Sequence, residues 1–295
     1  MQILSEWDKK YVKELADNLL EDKKDWKKRE NLEELWAAIY IIEKILGSDW
    51  YRRATKEIRE KGAEQYNEEN FQTPISFYLG KKTAEFYIRI IQFASFLTIL
   101  IDRSNVEEKI RGYMRREKRS VVTRNIFDGL FFELKTATFF ADKGFNIEFI
   151  DEKSNTRTPD LKISSSNNFL IVECKKKRSD GFELNKIFDS IYEASRQLDE
   201  SSNEGIVAVE FFLQSDIQIN FEEIEKQIKI EFQKNHRLLG LWLVGEMSYA
   251  DNDKTHLVSK TKMFFNENTV NKIHPEFKEI LLQPKAPIQQ SLLQS

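Results

Sequence analysis

The sequence is poor in the residues that make covalent staples, metal cages and tight turns. A single cysteine, Cys174, stands among 295 residues. That leaves no intramolecular disulfide and no cysteine-rich zinc site, and the expected compartment is a reducing one, the cytoplasm. Only 10 glycines and 5 prolines occur, which excludes collagen-like and low-complexity chains. The three histidines, His236, His256 and His274, are isolated, with no second imidazole at helical spacing to make a metal or acid–base pair. There is no P-loop and no glycine-rich dinucleotide fingerprint, so no nucleotide-driven motor is read here. The first residues become charged at Glu6 before a signal-peptide core could form, which argues against secretion. Residues 86–101 are the most apolar stretch, but they fall short of the ~20 needed to span hydrocarbon. They also contain Arg89 and Gln92, so a buried helix and no membrane partner are expected.

Excess charge of one sign is missing too. The 46 basic and 49 acidic residues leave −3, so the molecule does not coat nucleic acid through a bulk field, and any such contact must come from local patches. What is present is core material. Hydrophobic residues make up 40%, with 22 phenylalanines, and at about 150 residues per domain the length allows one large domain or two ordinary ones.

The first third reads as helical. Leu4, Trp7, Tyr11, Leu15 and Leu19 recur at three or four positions on one stripe. A second helix starts near Asn31, with Glu34 answering as in a capping box, and ends at Gly47. Residues 49–69 read as a third, and Thr73-Pro74 as the N-cap and first position of a fourth. A polar break at 103–108 precedes the most basic window, which holds Lys109, Arg111, Arg115, Arg116, Lys118, Arg119 and Arg124. It is either a solvated helix face or a phosphate-contacting surface.

After Asn125 the pattern changes. Ile126, Leu130, Leu134, Ala137 and Ala141 hold helical spacing up to Lys143-Gly144. Strands are then expected at 145–150, 158–164 and 169–174, the last two joined as a hairpin through a turn signal at 164–168. A helix at 182–198, a strand at 206–213, a helix at 221–232 and a strand at 238–244 complete an α/β alternation. Past Lys262 the pattern is weak.

Within the apolar run Phe169-Leu170-Ile171-Val172-Glu173-Cys174 sits one carboxylate, with Lys175 two residues on. Strand alternation puts Glu173 and Lys175 on one face and Val172 and Cys174 on the other. A buried carboxylate is costly unless paired or bound to a cation, so Glu173 needs a partner. Lys175 alone would make a strand-end ion pair. Thirteen positions earlier, however, Pro159-Asp160 opens the preceding strand, and a hairpin would bring Asp160 beside Glu173. Two carboxylates converging beside an ammonium suit a hard divalent cation. Glu133, among apolar neighbours in the helix before the first strand, is either a third inward carboxylate or an exposed helical glutamate.

Helix with Glu133, strand, Pro159-Asp160, hairpin, Glu173-Cys174-Lys175, helix: over residues 121–244 this order resembles the PD-(D/E)xK nuclease superfamily. The resemblance implies a restriction-endonuclease-like mixed central sheet flanked by helices in residues 119–295, preceded by an all-helical N-terminal domain in 1–118. It implies a metal-dependent DNA endonuclease, with Mg²⁺ (or Mn²⁺ as substitute) held by Asp160, Glu173 and the backbone carbonyl of Cys174. Glu133 would complete the metal shell, and Lys175 would position the attacking water. Lys176, Lys177 and Arg178 continue from the motif, and with Arg115, Arg116, Arg119 and Arg124 they are candidate DNA contacts. Some members of the superfamily carry a Gln-x-x-x-Tyr element in the following helix; here Gln197 is present but Ser201 replaces the tyrosine, so Gln197 is read as a solvated helix residue.

Restriction or defence against foreign DNA is the biological expectation. Repair of branched or damaged DNA and a non-catalytic interaction module are the alternatives. The helical third would recruit substrate, mediate homodimerisation or contact another protein.

Overall fold

The change from helical to strand periodicity after Gly144 is where the sheet begins. The structure, a computed structural model, describes residues 84–110, 124–150, 158–177, 184–201, 203–212, 221–251 and 254–282, with a few helical residues between 38 and 45. The chain divides into two units, residues 1–101 with 107–127, and residues 102–106 with 128–295.

In the first unit, helix α1 (Ala84–Leu100) buries Ile90, Phe93, Ala94, Leu97 and Leu100, a three-and-four spacing that makes one core-facing stripe. Arg89 is buried beside it, its Nη1 donating to Gln92 Oε1 at 3.4 Å. Among the described residues no helix is long and apolar enough to cross a membrane. The helices expected over residues 4–19, 49–69 and from Thr73 lie outside the described residues.

Helix α2 (Arg124–Ala141) is followed by a turn that closes at Gly144, whose φ of +93° is open to glycine and strained for other residues. Every residue from Leu130 to Ala141 is buried. The sheet follows: β1 (Asn146–Phe149), β2 (Leu161–Ser165), β3 (Asn168–Lys177), helix α3 (Leu184–Glu200), β4 (Gly205–Phe212), helix α4 (Phe221–Lys234), β5 (Leu238–Asp251), β6 (Lys254–Phe265) and helix α5 (Pro275–Leu282). The six strands lie in sequence order in one mixed sheet. β1–β2, β2–β3 and β5–β6 are antiparallel; β3–β4 and β4–β5 are parallel, each joined by a helical crossover.

β3 runs three residues beyond the expected Cys174, because β4 offers partners as far as Lys177↔Phe211. β5 extends past the expected 244 to Asp251, and β6 and α5 had no counterpart in the sequence reading. The outer edge of β1 is covered by residues 103–105. Ile147 N–H donates to the Arg103 carbonyl at 2.8 Å, and the Asn105 side chain accepts from Phe149 N–H at 2.7 Å while donating to the Phe149 carbonyl at 3.0 Å. Gly205 lies so close to β3 that a Cβ there would meet the Ile171 carbonyl oxygen at 2.5 Å, which fixes glycine at the start of β4.

The two sheet faces differ. On one, Ile171, Val207, Val209, Leu241 and Leu243 pack with Ile187, Ile191, Leu198, Ile224 and Phe232 of α3 and α4. On the other lies α2, where Phe139 and Phe140 meet Trp242 at ring centroids of 4.8 and 6.3 Å. The second face also holds buried charge. Lys135 of α2 reaches Glu210 Oε1 of β4 at 2.7 Å and Glu246 Oε1 of β5 at 3.2 Å, and Lys176 of β3 reaches Glu210 Oε2 at 2.5 Å.

Candidate functional site

The register of the β2–β3 hairpin builds the site. Leu161 pairs with Val172, so the next step outward sets Asp160 opposite Glu173. The Asp160 carboxylate bends into this junction, where its Oδ2 accepts the Cys174 N–H at 2.7 Å. Glu173 is held between β2 and β4, in register with Val207, and is 0% exposed. Lys175 shares its face, as alternation requires, and brings Nζ to 2.6 Å from Glu173 Oε1. The contact is a close ion pair, fully buried on the Glu173 side.

Burial pushes the Glu173 carboxyl from 4.5 up to about 7, and the Glu133 charge pushes the same way, against the pull of Lys175 and Asp160. Burial also raises the Cys174 thiol, and Asp160, Glu133 and Glu173 raise it further. Burial alone would lower Lys175, but its contact with Glu173 and the charges of Asp160 and Glu193 together outweigh that effect, so its pKa is raised. Glu133 itself is 7% exposed. Of the two sequence readings of this residue, the buried one describes its position, and its field reaches both Glu173 and Cys174.

Gln197 corrects the sequence reading. Far from being a solvated helix residue, it accepts a hydrogen bond from Lys175 Nζ at 2.9 Å and donates through Nε2 to the Thr158 carbonyl at 2.8 Å. Lys176, expected among the DNA contacts, is turned to the opposite sheet face and ion-paired with Glu210, its side chain 12% exposed. Alternation is the cause, since consecutive lysines on a strand point to opposite faces. Arg115, Arg116, Arg119 and Arg178, and the side chains of Lys177 and Arg124, lie outside the described residues.

The donor chemistry fits a hard dication. Asp160 and Glu173 offer carboxylate oxygens, and both oxygens of Glu173 are buried. Among the described residues no three carboxylate, imidazole or thiol groups are gathered as a ready metal cage; the nearest cation to Glu173 is the Lys175 ammonium.

The raised Glu173 carboxyl has a consequence for stability. Between pH 4.5 and about 7 the folded chain holds this proton more tightly than the unfolded one. Its contribution is therefore complete below pH 4.5 and is lost as pH rises through 7. The shift corresponds to about 3 kcal/mol at 1.36 kcal/mol per unit. Urea denaturation of wild type and Glu173→Gln at pH 5 and pH 8 should show the variant gaining on wild type at pH 8 by an amount of that order. A difference independent of pH would mean that Glu173 is not held as described.

No protein-family model matches the chain, and a search of curated proteins returns no match.

Proposed function

We propose that this chain is a divalent-metal-dependent DNA endonuclease of the PD-(D/E)xK type, with the restriction-endonuclease-like fold in its sheet unit and an accessory helical domain before it. The observation that carries the reading is Glu173, a fully buried carboxylate in an apolar strand, adjoined by Asp160 and Lys175. Apolar burial of an acid in this manner is costly, and a cation-binding role accounts for it.

Asp160, Glu173 and the Cys174 carbonyl would hold Mg²⁺ or Mn²⁺, with Glu133 closing the shell. Bound there, the ion supplies Lewis-acid polarisation of a phosphoryl oxygen and a lowered pKa for its water. The chain's own residues do the rest. The ordered Cys174 N–H holds the Asp160 carboxylate in place, and Lys175 keeps a positive charge beside the reacting phosphate, where negative charge grows. The field of Glu133 strengthens the site's demand for a cation.

A second reading is a non-catalytic nuclease-fold interaction module, favoured by the Lys175–Glu173 ion pair, which satisfies the buried charge without any metal. Calorimetry separates the two: titrating Mg²⁺ and Mn²⁺ into wild type, alone and with bound duplex, should give binding that Asp160→Ala removes. Wild type that binds neither ion, even with DNA, would leave the scaffold standing. Nicking of supercoiled plasmid with Mg²⁺, Mn²⁺ or chelator tests the activity. Duplex, single-stranded and branched substrates would distinguish a restriction or defence enzyme from a repair nuclease.

A further inference from the structure

Lys175 is held from two sides. Glu173 Oε1 stands 2.6 Å from its ammonium and Gln197 Oε1 stands 2.9 Å away. The second of these comes from α3, twenty-two residues further along the chain. Gln197 sits at the edge of the stripe by which α3 packs on the sheet, between buried Ala194 and Leu198, so its backbone position is set by the core.

The orientation of its amide is fixed by chemistry. An ammonium only donates and a carbonyl only accepts. The amide oxygen must therefore face Lys175 and the amide nitrogen must face Thr158, and a flipped amide would oppose donor to donor and acceptor to acceptor. The carbonyl that Nε2 reaches, that of Thr158, lies two residues before Asp160. One side chain thus joins the strand carrying the lysine to the segment that delivers the aspartate.

We propose that Gln197 is a positioning residue for this site. It keeps the Lys175 ammonium in place when the Glu173 oxygens are engaged by a cation, and it fixes the start of β2 so that Asp160 stays opposite Glu173. The inference rests on the nuclease reading for its catalytic meaning, while the clamp itself is a property of the chain alone. No tyrosine four residues on takes part in it: the Ser201 hydroxyl donates to the Leu198 carbonyl at 3.0 Å.

The test uses the full chain and two variants. Gln197→Met keeps the length of the side chain and removes both polar contacts. Gln197→Glu keeps an acceptor for Lys175 but sets oxygen against the Thr158 carbonyl. The first readout is made without metal or DNA: the rate at which an amine-directed reagent modifies Lys175 at one fixed pH, followed by mass spectrometry. Lys229, whose side chain is 62% exposed, serves as the internal reference. Gln197→Met should raise the Lys175 rate several-fold relative to Lys229, and Gln197→Glu should leave it near wild type. The second readout is plasmid cleavage with Mg²⁺, where Gln197→Met should lower kcat on the order of 10²-fold, as expected for a misplaced group, with KM little changed.

Unchanged Lys175 modification in Gln197→Met would overturn the clamp. Faster modification with unchanged kcat would overturn the positioning role and leave a structural contact. Wild type inactive on every DNA substrate would overturn the nuclease reading and the catalytic role of Gln197 with it, while the modification rates still decide whether the clamp exists.

Discussion

Alanine at Asp160 or Glu173 is expected to lower Mg²⁺-dependent nicking of supercoiled plasmid by about 10³-fold or more, and alanine at Lys175 by about 10²- to 10³-fold. The ordering follows from what each residue would supply. Losing a bound dication removes several kcal/mol of transition-state stabilisation, and at 1.36 kcal/mol per tenfold about 4 kcal/mol is a factor near 10³. Losing one preorganised positive group costs about 2.7–4 kcal/mol at the upper end of measured single-donor deletions, which leaves Lys175→Ala at or below the carboxylate variants. Misfolding is a poor alternative explanation for Glu173→Ala. The lysine left behind is 26% exposed in its side chain and keeps the Gln197 oxygen at 2.9 Å, so no fully buried orphan charge results. The carboxylate removed is one that burial already disfavours. A thermal melt of Glu173→Ala should therefore stay cooperative while cleavage is lost. Cleavage by Glu173→Ala at the wild-type rate would refute the site assignment, whatever the fold.

How much of this was legible in the sequence depends on how local the signal is. The Glu173–Lys175 face was legible because strand alternation is a two-residue rule, and Pro159-Asp160 because a proline before a strand marks its start. Glu133 was ambiguous for a physical reason: α2 is buried on all sides from Leu130 to Ala141, so it has no polar stripe against which an inward carboxylate stands out. Gln197 was misread because both its partners are distant, at separations of 22 and 39 residues, and nothing in the helical pattern announces them. The run 176–178 was read as one block of candidate DNA contacts, whereas alternation had already divided the lysines of 175–177 between the two faces.

A further signal went unread. Glu210 in Gly205–Phe212 and Glu246 in the β5 run are also carboxylates in apolar strands, and the rule that singled out Glu173 demanded partners for them. Those partners are Lys135 and Lys176. The β5–β6 hairpin was under-read because β6, with its lysines and threonines, lacks a clean apolar alternation, although Asp251-Asn252-Asp253 is a turn signal in the sequence.

Lys135→Met should destabilise the sheet unit by about 3–5 kcal/mol, the range for removing one partner from a buried ion pair. Lys135 is 5% exposed, and its two carboxylate partners, Glu210 and Glu246, are 1% and 2% exposed. The four groups, two lysines and two glutamates, sum to zero; methionine keeps the stem and volume of the lysine but leaves the cluster at −1 in a region with little water. That loss is a large share of the ~5–15 kcal/mol by which a domain is ordinarily stable. An exposed pair sets the contrast: Lys143 and Asp142, 39% and 59% exposed in their side chains, should contribute no more than ~1 kcal/mol. Urea denaturation gives both numbers, and adding Glu246→Gln to Lys135→Met should recover part of the loss, because the second change removes the charge that the first left uncompensated. A Lys135→Met midpoint no different from that of Lys143→Met would mean the cluster is not buried as described. The consequence reaches the site, because Lys135 lies two residues from Glu133 on α2 and Lys176 lies beside Lys175 on β3. The same cluster therefore ties the helix that carries one candidate carboxylate to the strand that carries the other groups, and Lys135→Met should weaken Mg²⁺ binding in calorimetry even under conditions where the variant is fully folded.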